Sequence, residues 1–194
     1  MESLSDILGT SALALALAAC AGIRAWLPLF LAGLAFRAGL FSFGPSYAFL
    51  GSNRALVLFG VATFVEIVAD KIPAVDHALD LASTVVRPAA GALLAASVFG
   101  RITDPALALG LGIALGAPAA LIPHAGKASF RAATTVATAG LGNPVVSTAE
   151  DLGTVVLFGI ALLAPFLVLV PVLVIAFLVA RKALQRSPQP AEPR

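Results

Sequence analysis

Between Thr154 and Ala180 the chain carries no charged side chain. About 20 apolar residues suffice to cross the hydrocarbon core of a bilayer. Inside that core every backbone N–H and C=O must find a partner within the protein, which leaves helices or closed barrels. The composition then decides how much of the chain follows the same rule. Of 194 residues, 60% are hydrophobic and 11% charged, whereas soluble domains carry roughly 25% charged residues. A soluble fold of this length leaves too much area exposed to hide so much apolar surface. The expected fold is all-α: a polytopic transmembrane helical bundle of about five to six spans with broken or re-entrant helices. Residues 1–183 form a single domain, and 184–194, rich in Pro and polar residues, a disordered tail.

The breaks are read from Gly and Pro. Ile7–Phe36 is too long for one simple span and is interrupted at Gly22-Ile23-Arg24-Ala25-Trp26-Leu27-Pro28. It is one long bent helix or a helix followed by a re-entrant half. Ala55–Ala69 is a further span, closed by Asp70-Lys71-Ile72-Pro73. A helix from Pro73 to Gly100 carries Asp76, Asp80, Ser83 or Thr84, Arg87 and Gly91 at steps of three or four, hence on one face. Pro105–Pro123 spans again. In His124–Asp151, Arg131, Thr134 or Thr135, and Thr138 share a face before the Asn143-Pro144 break. Thr154–Ala180 reads as one last span bent at Pro165 and Pro171.

Several function classes fall away. The net charge of +2 sits largely in the tail, at Arg181, Lys182, Arg186 and Arg194, and no basic stripe with interleaved aromatics marks a nucleic-acid binder. Cys20 is the sole cysteine, which excludes an intrachain disulfide and a CxxC metal site. His77 and His124 are too few for a zinc centre. Gly110–Gly116 lacks the preceding strand and the Lys-Ser/Thr of a phosphate-binding loop. No Gly-x-Ser-x-Gly is present, so a non-enzymatic protein without cofactor is expected. The acidic start, with Glu2 and Asp6, reads as a retained first helix rather than a cleaved leader.

Charges set in apolar sequence are the candidates for function, because in a membrane they face a cavity or each other. Glu66 and Asp70 lie one turn apart, as do Asp76 and Asp80; Arg24, Arg87 and Arg131 are the cations deepest in apolar sequence. Lys71, Glu150 and Asp151 complete the candidate translocation set, with His124 as a proton-relay candidate. Glu66 and Asp70 are the ligands to consider if a metal cation binds. In a second reading, Arg24 and Arg131 hold an anionic group. In a third, the charges only pair and fix helix register. An offset of 107 matches Arg24-Ala25 with Arg131-Ala132, and Ala32-Gly33-Leu34 with Ala139-Gly140-Leu141. This suggests the two-repeat, inverted plan of transporters, although an Ala-rich chain also yields such identities by chance.

Three blocks carry a family resemblance: Gly22 to Pro28; Glu66 to Asp76 with Asp80 and Arg87-Pro88; and His124, Lys127, Arg131, Asn143-Pro144, Ser147 and Glu150-Asp151. On these the chain resembles the prokaryotic membrane-protein family DUF4126. The resemblance implies a fold-level neighbour and no activity. The functional expectation is a small transporter or permease, proton-coupled, moving an ion or small charged solute between two repeat-like halves. The alternatives are a membrane scaffold with paired charges, or a lipid-phosphate translocase or lipid-modifying enzyme. Membrane lipid, a small charged solute and a second copy of the chain are the expected partners. The expected location is the inner (plasma) membrane with the C-terminus cytoplasmic, and Arg37, Arg54 and Arg101 on the same side if the 124–153 region enters and leaves on one side.

Overall fold

The computed structural model describes residues 3–71 and 73–185; side chains of residues 72–81, 179–180 and 182–185 lie outside that description. The side chains of Asp76, His77 and Asp80 therefore lie outside the described residues, as does most of the tail. The described elements are helical throughout: α1 Leu4–Ile23, α2 Trp26–Arg37, a 3₁₀ helix Pro45–Gly51, α3 Asn53–Ala69 and α4 Pro73–Phe99. Then follow α5 Pro105–Leu111, a π turn Gly112–Gly116, α6 Ala117–Thr138, α7 Asn143–Leu163 and α8 Pro165–Gln185.

Among the described residues four helical stretches are long and apolar enough to cross a membrane: Leu4–Ile23, Ala82–Phe99, Pro105–Thr138 and Asn143–Leu163. The 3₁₀ helix and α3, bent by 56°, make a fifth if counted as one span. The count is four or five against an expected five to six, because the apolar stretches Trp26–Arg37 and Pro165–Leu178 are shorter among the described residues. The last apolar run also differs from expectation. Thr154–Ala180 is not one bent span; it splits at Ala164, where φ is −149° and ψ 70°. Pro165 has no N–H to continue the helix. Leu157 of α7 and Ile175 of α8 line one cavity with Ile23, so α8 doubles back along α7.

That reversal changes which charges share an end of the bundle. Asp6 and Arg101 line a common cavity, the Gly44 N–H donates to the Ser97 carbonyl at 2.8 Å, and Arg37 donates to the Gly51 carbonyl at 2.8 Å. Arg37, Arg54 and Arg101 thus gather where α1 begins and α4 ends. Glu66, Asp70, Glu150 and Asp151 lie at the other end, and α8 runs back toward them.

The core is made of small residues. Ala14, Ala16, Leu17, Ala18 and Ala21 of α1 are fully buried, as are Leu94, Ala95 and Ala96 of α4. Without a hydrophobic drive between helices in lipid, close backbone approach supplies the packing. At Gly112 a Cβ would overlap the Ala92 carbonyl and press on Ala96. At Gly22 it would overlap the Ala120 carbonyl. The Pro88, Pro123 and Pro171 positions stay helical, as membrane helices tolerate.

The sequence repeat does not map onto equivalent structure. Arg24 sits at the end of α1, whereas Arg131 lies inside α6; Gly33 lies inside α2, whereas Gly140 turns the chain between α6 and α7 at φ 84°. The five identities align unlike elements.

Gly112→Val should be strongly destabilising, because the obstacle is backbone rather than a flexible side chain. Gly110→Val, on the same apolar run with nothing within 4 Å, should cost less than about 1 kcal/mol. Thermal unfolding of the two variants in one detergent compares them directly.

Candidate functional site: a charge network at a helix break

The site begins with two orphaned helix ends. α1 stops at Ile23, Arg24 is extended at φ −133° and ψ 128°, and α2 starts at Trp26 with no side-chain cap of its own. A helix C-terminus leaves carbonyls unpaired and an N-terminus leaves N–H groups unpaired. Neighbouring helices satisfy both. Lys127 of α6 donates its Nζ to the Ile23 carbonyl at 3.2 Å. The Ala25 and Trp26 N–H groups donate to Glu66 Oε1 at 3.0 Å and Oε2 at 3.3 Å. A cation meets the negative end of α1 and a carboxylate the positive end of α2, the arrangement that helix dipoles favour.

Arg24 is fully buried between them. Its Nη1 donates to Asp70 at the end of α3. Its Nη2 donates to the Ser147 carbonyl at 3.0 Å and hydroxyl at 2.9 Å, and pairs with Asp151 at 2.7 Å. One guanidinium therefore ties α3 and α7 to the α1–α2 break, which its planar fork of five donors permits.

A second tier comes from α6. Lys127 pairs with Glu150 at 2.9 Å and Asp70 at 3.9 Å; Arg131 lies 3.6 Å from Glu150 and 3.8 Å from Asp70. Asp70 caps the C-terminus of α3, where the dipole disfavours an anion, and three cations offset this. Arg87 lies 4.0 Å from Glu66 and its Nη1 is 2.6 Å from His124 Nδ1. A guanidinium only donates, so Nδ1 accepts and the ring proton is on Nε2. Lys71, 40% exposed, reaches Asp151 at 3.8 Å from the rim.

The structure thus brings together Arg24, Glu66, Asp70, Lys71, Arg87, His124, Arg131, Glu150 and Asp151. Arg24 and Arg131, far apart in sequence, converge on Asp70 and Glu150. Lys127 and Ser147 belong to the same network but were absent from the sequence-derived set. Their signal was spacing: Lys127 is one turn before Arg131, and Ser147 one turn before Glu150 and Asp151. The backbone donors of Ala25 and Trp26 had no signal beyond the break itself. Among the described residues no group of three His, Cys, Asp or Glu could hold a metal ion. Glu66 and Asp70 direct their carboxylates to backbone N–H groups, Arg and Lys.

These features define a multi-pass helical membrane protein with a buried network of inter-helix ion pairs at a broken helix. The chain belongs to the family described as domain of unknown function DUF4126, which matches residues 11–184. No curated protein and no solved structure matches the chain.

Removing one partner of a buried pair leaves an uncompensated charge and costs ~3–5 kcal/mol. Arg24→Leu should show a loss of that size by chemical unfolding in detergent. Adding Asp70→Leu to it should cost clearly less than Asp70→Leu alone, since the two share one interaction.

Proposed function

We propose that the protein is a small, non-enzymatic transporter or permease that moves an ion or small charged solute through the network end of the bundle. The observation that carries this reading is the charge network itself. Five cations (Arg24, Lys71, Arg87, Lys127, Arg131) and four carboxylates (Glu66, Asp70, Glu150, Asp151) meet among the described residues of a chain otherwise poor in charge. Well-packed apolar residues would serve stability as well as such pairs or better, and ionisable groups inside membranes mark ion and solute paths.

The arrangement also suggests how access alternates. Only 22% of the α7 span is buried, and its polar anchors to the break are Ser147, Glu150 and Asp151 on Arg24. A charged solute that takes over part of Arg24, Lys127 or Arg131 frees those anchors, so α6 and α7 can shift as a unit. A carboxylate released from its cation then takes up a proton, which couples the two movements. The scaffold reading is favoured by one observation: each of the four carboxylates already has a cationic partner.

Transport separates the two. Proteoliposomes on a solid-supported membrane are challenged with pH jumps and with chloride, phosphate, acetate, sodium and tetramethylammonium. The expected outcome is a protein-dependent current for at least one solute, lost in Asp70→Asn and Glu66→Gln variants that still purify as folded protein. Silence across the set supports the scaffold, and protein-dependent currents that both variants retain remove Asp70 and Glu66 from the transport path.

We further propose that the network end and the C-terminus face the cytoplasm of the cell's inner membrane. The tail carries Arg181, Lys182, Arg186 and Arg194, against Arg37, Arg54 and Arg101 at the opposite end, and basic residues beside spans stay inside. A reporter fused after Arg194 should be active only in the cytoplasm, and a cysteine placed at Arg54 should be labelled from outside intact cells. The reverse pattern inverts the assignment.

A further inference from the structure

A cavity of about 250 Å³ lies beside the network, between α2, α3 and α4, lined by Ala25, Trp26, Val61, Glu66, Ser83 and Val86 among others. Its rim is apolar and faces lipid: Val61 is 59% exposed on the outer side of α3. Among the described residues, polar groups in its wall come from Glu66, Ser83 and the Trp26 indole. Glu66 presents a carboxylate whose Oε2 accepts a single long bond, 3.3 Å from the Trp26 N–H. Ser83 is 9% exposed and has no hydrogen-bond partner among the described residues. Its hydroxyl is open to the cavity, and an apolar pocket with a few convergent polar groups is the usual form of a small-molecule site.

Charge decides what fits. Glu66 is already matched by Arg87 at 4.0 Å and by the positive end of α2. An ammonium group would add uncompensated charge in a medium that screens poorly, and a carboxylate would confront Glu66. An uncharged donor meets neither cost. We propose that this cavity binds an apolar alcohol drawn from the bilayer. Its hydroxyl donates to Glu66 Oε2 and accepts from Ser83 Oγ, and its chain lies along Trp26, Val61 and Val86. At about 30 Å³ per water-sized group, the cavity takes roughly eight non-hydrogen atoms, the size of a short alkanol or the hydroxyl end of a longer one. The site needs the fold and this cavity only, and it stands if the transport reading falls.

Trp26 is the sole tryptophan of the chain and lines the cavity, so it reports occupancy. Fluorescence of the purified full chain is titrated with bromohexanol, whose bromine quenches tryptophan on contact. Bromohexane, bromohexylammonium and bromohexanoate are run alongside. Bromohexanol should quench saturably and bromohexane only in proportion to its concentration. Ser83→Ala should weaken bromohexanol about fivefold, the worth of one hydrogen bond, while leaving thermal unfolding unchanged. Glu66→Gln also loosens the cap on α2, so Ser83→Ala carries the test. Equal saturation by bromohexane, an unchanged Ser83→Ala titration, or tighter saturation by either charged probe overturns the proposal.

Discussion

The break between Ile23 and Trp26 is the constraint around which this protein is organised. A helix interrupted inside a membrane bundle exposes carbonyls on one side and N–H groups on the other, and lipid offers no partner to either. Here α6 sends Lys127 to the first set and α3 sends Glu66 to the second. Arg24, at the break, then draws in Asp70 and α7. Remove the break and these side chains lose the reason for their positions.

The cost of this design explains its form. Two unit charges about 4 Å apart attract by about 4 kcal/mol at an effective dielectric of 20, while each ion loses several kcal/mol of hydration on burial. No single pair clearly wins that balance. The network answers by sharing: Asp70 faces Arg24, Lys127 and Arg131, and Glu150 faces the same three. Shared partners also make exchange easy, because a carboxylate that leaves one cation remains close to another. A tightly packed core of Ala and Gly in α1, α4 and the π turn forms the frame, while α7 presents most of its surface outward.

Much of the site was legible in the sequence because charge is so rare in it. Against an apolar background, Arg24, Glu66, Asp70, Arg131, Glu150 and Asp151 mark themselves, and helical spacing sets them on inward faces. Lys127 and Ser147 were overlooked as members, since one Lys near a span end and one Ser near a helix start have ordinary surface explanations. The repeat misled for a related reason: in a chain this rich in Ala and Gly, identity carries little information about structure. Gly33 packs inside a helix and Gly140 turns a loop, although the alignment treats them as one.

The sequence by itself determined the class: all helical, in the membrane, broken near Arg24, with its few charges turned inward. Hydrophobicity, Pro and Gly act locally, so composition and spacing suffice to read them. Tertiary structure alone decided which charges meet, that Asp70 rather than Glu66 takes Arg24, and that Glu66 caps α2 from another helix. It also decided that the last apolar run breaks at Ala164 and folds back, so that Ile175 lines a cavity with Ile23. Those outcomes depend on how separate helices cross and on a single backbone angle. A linear pattern of residues specifies neither, because each is set by packing between segments far apart in the chain.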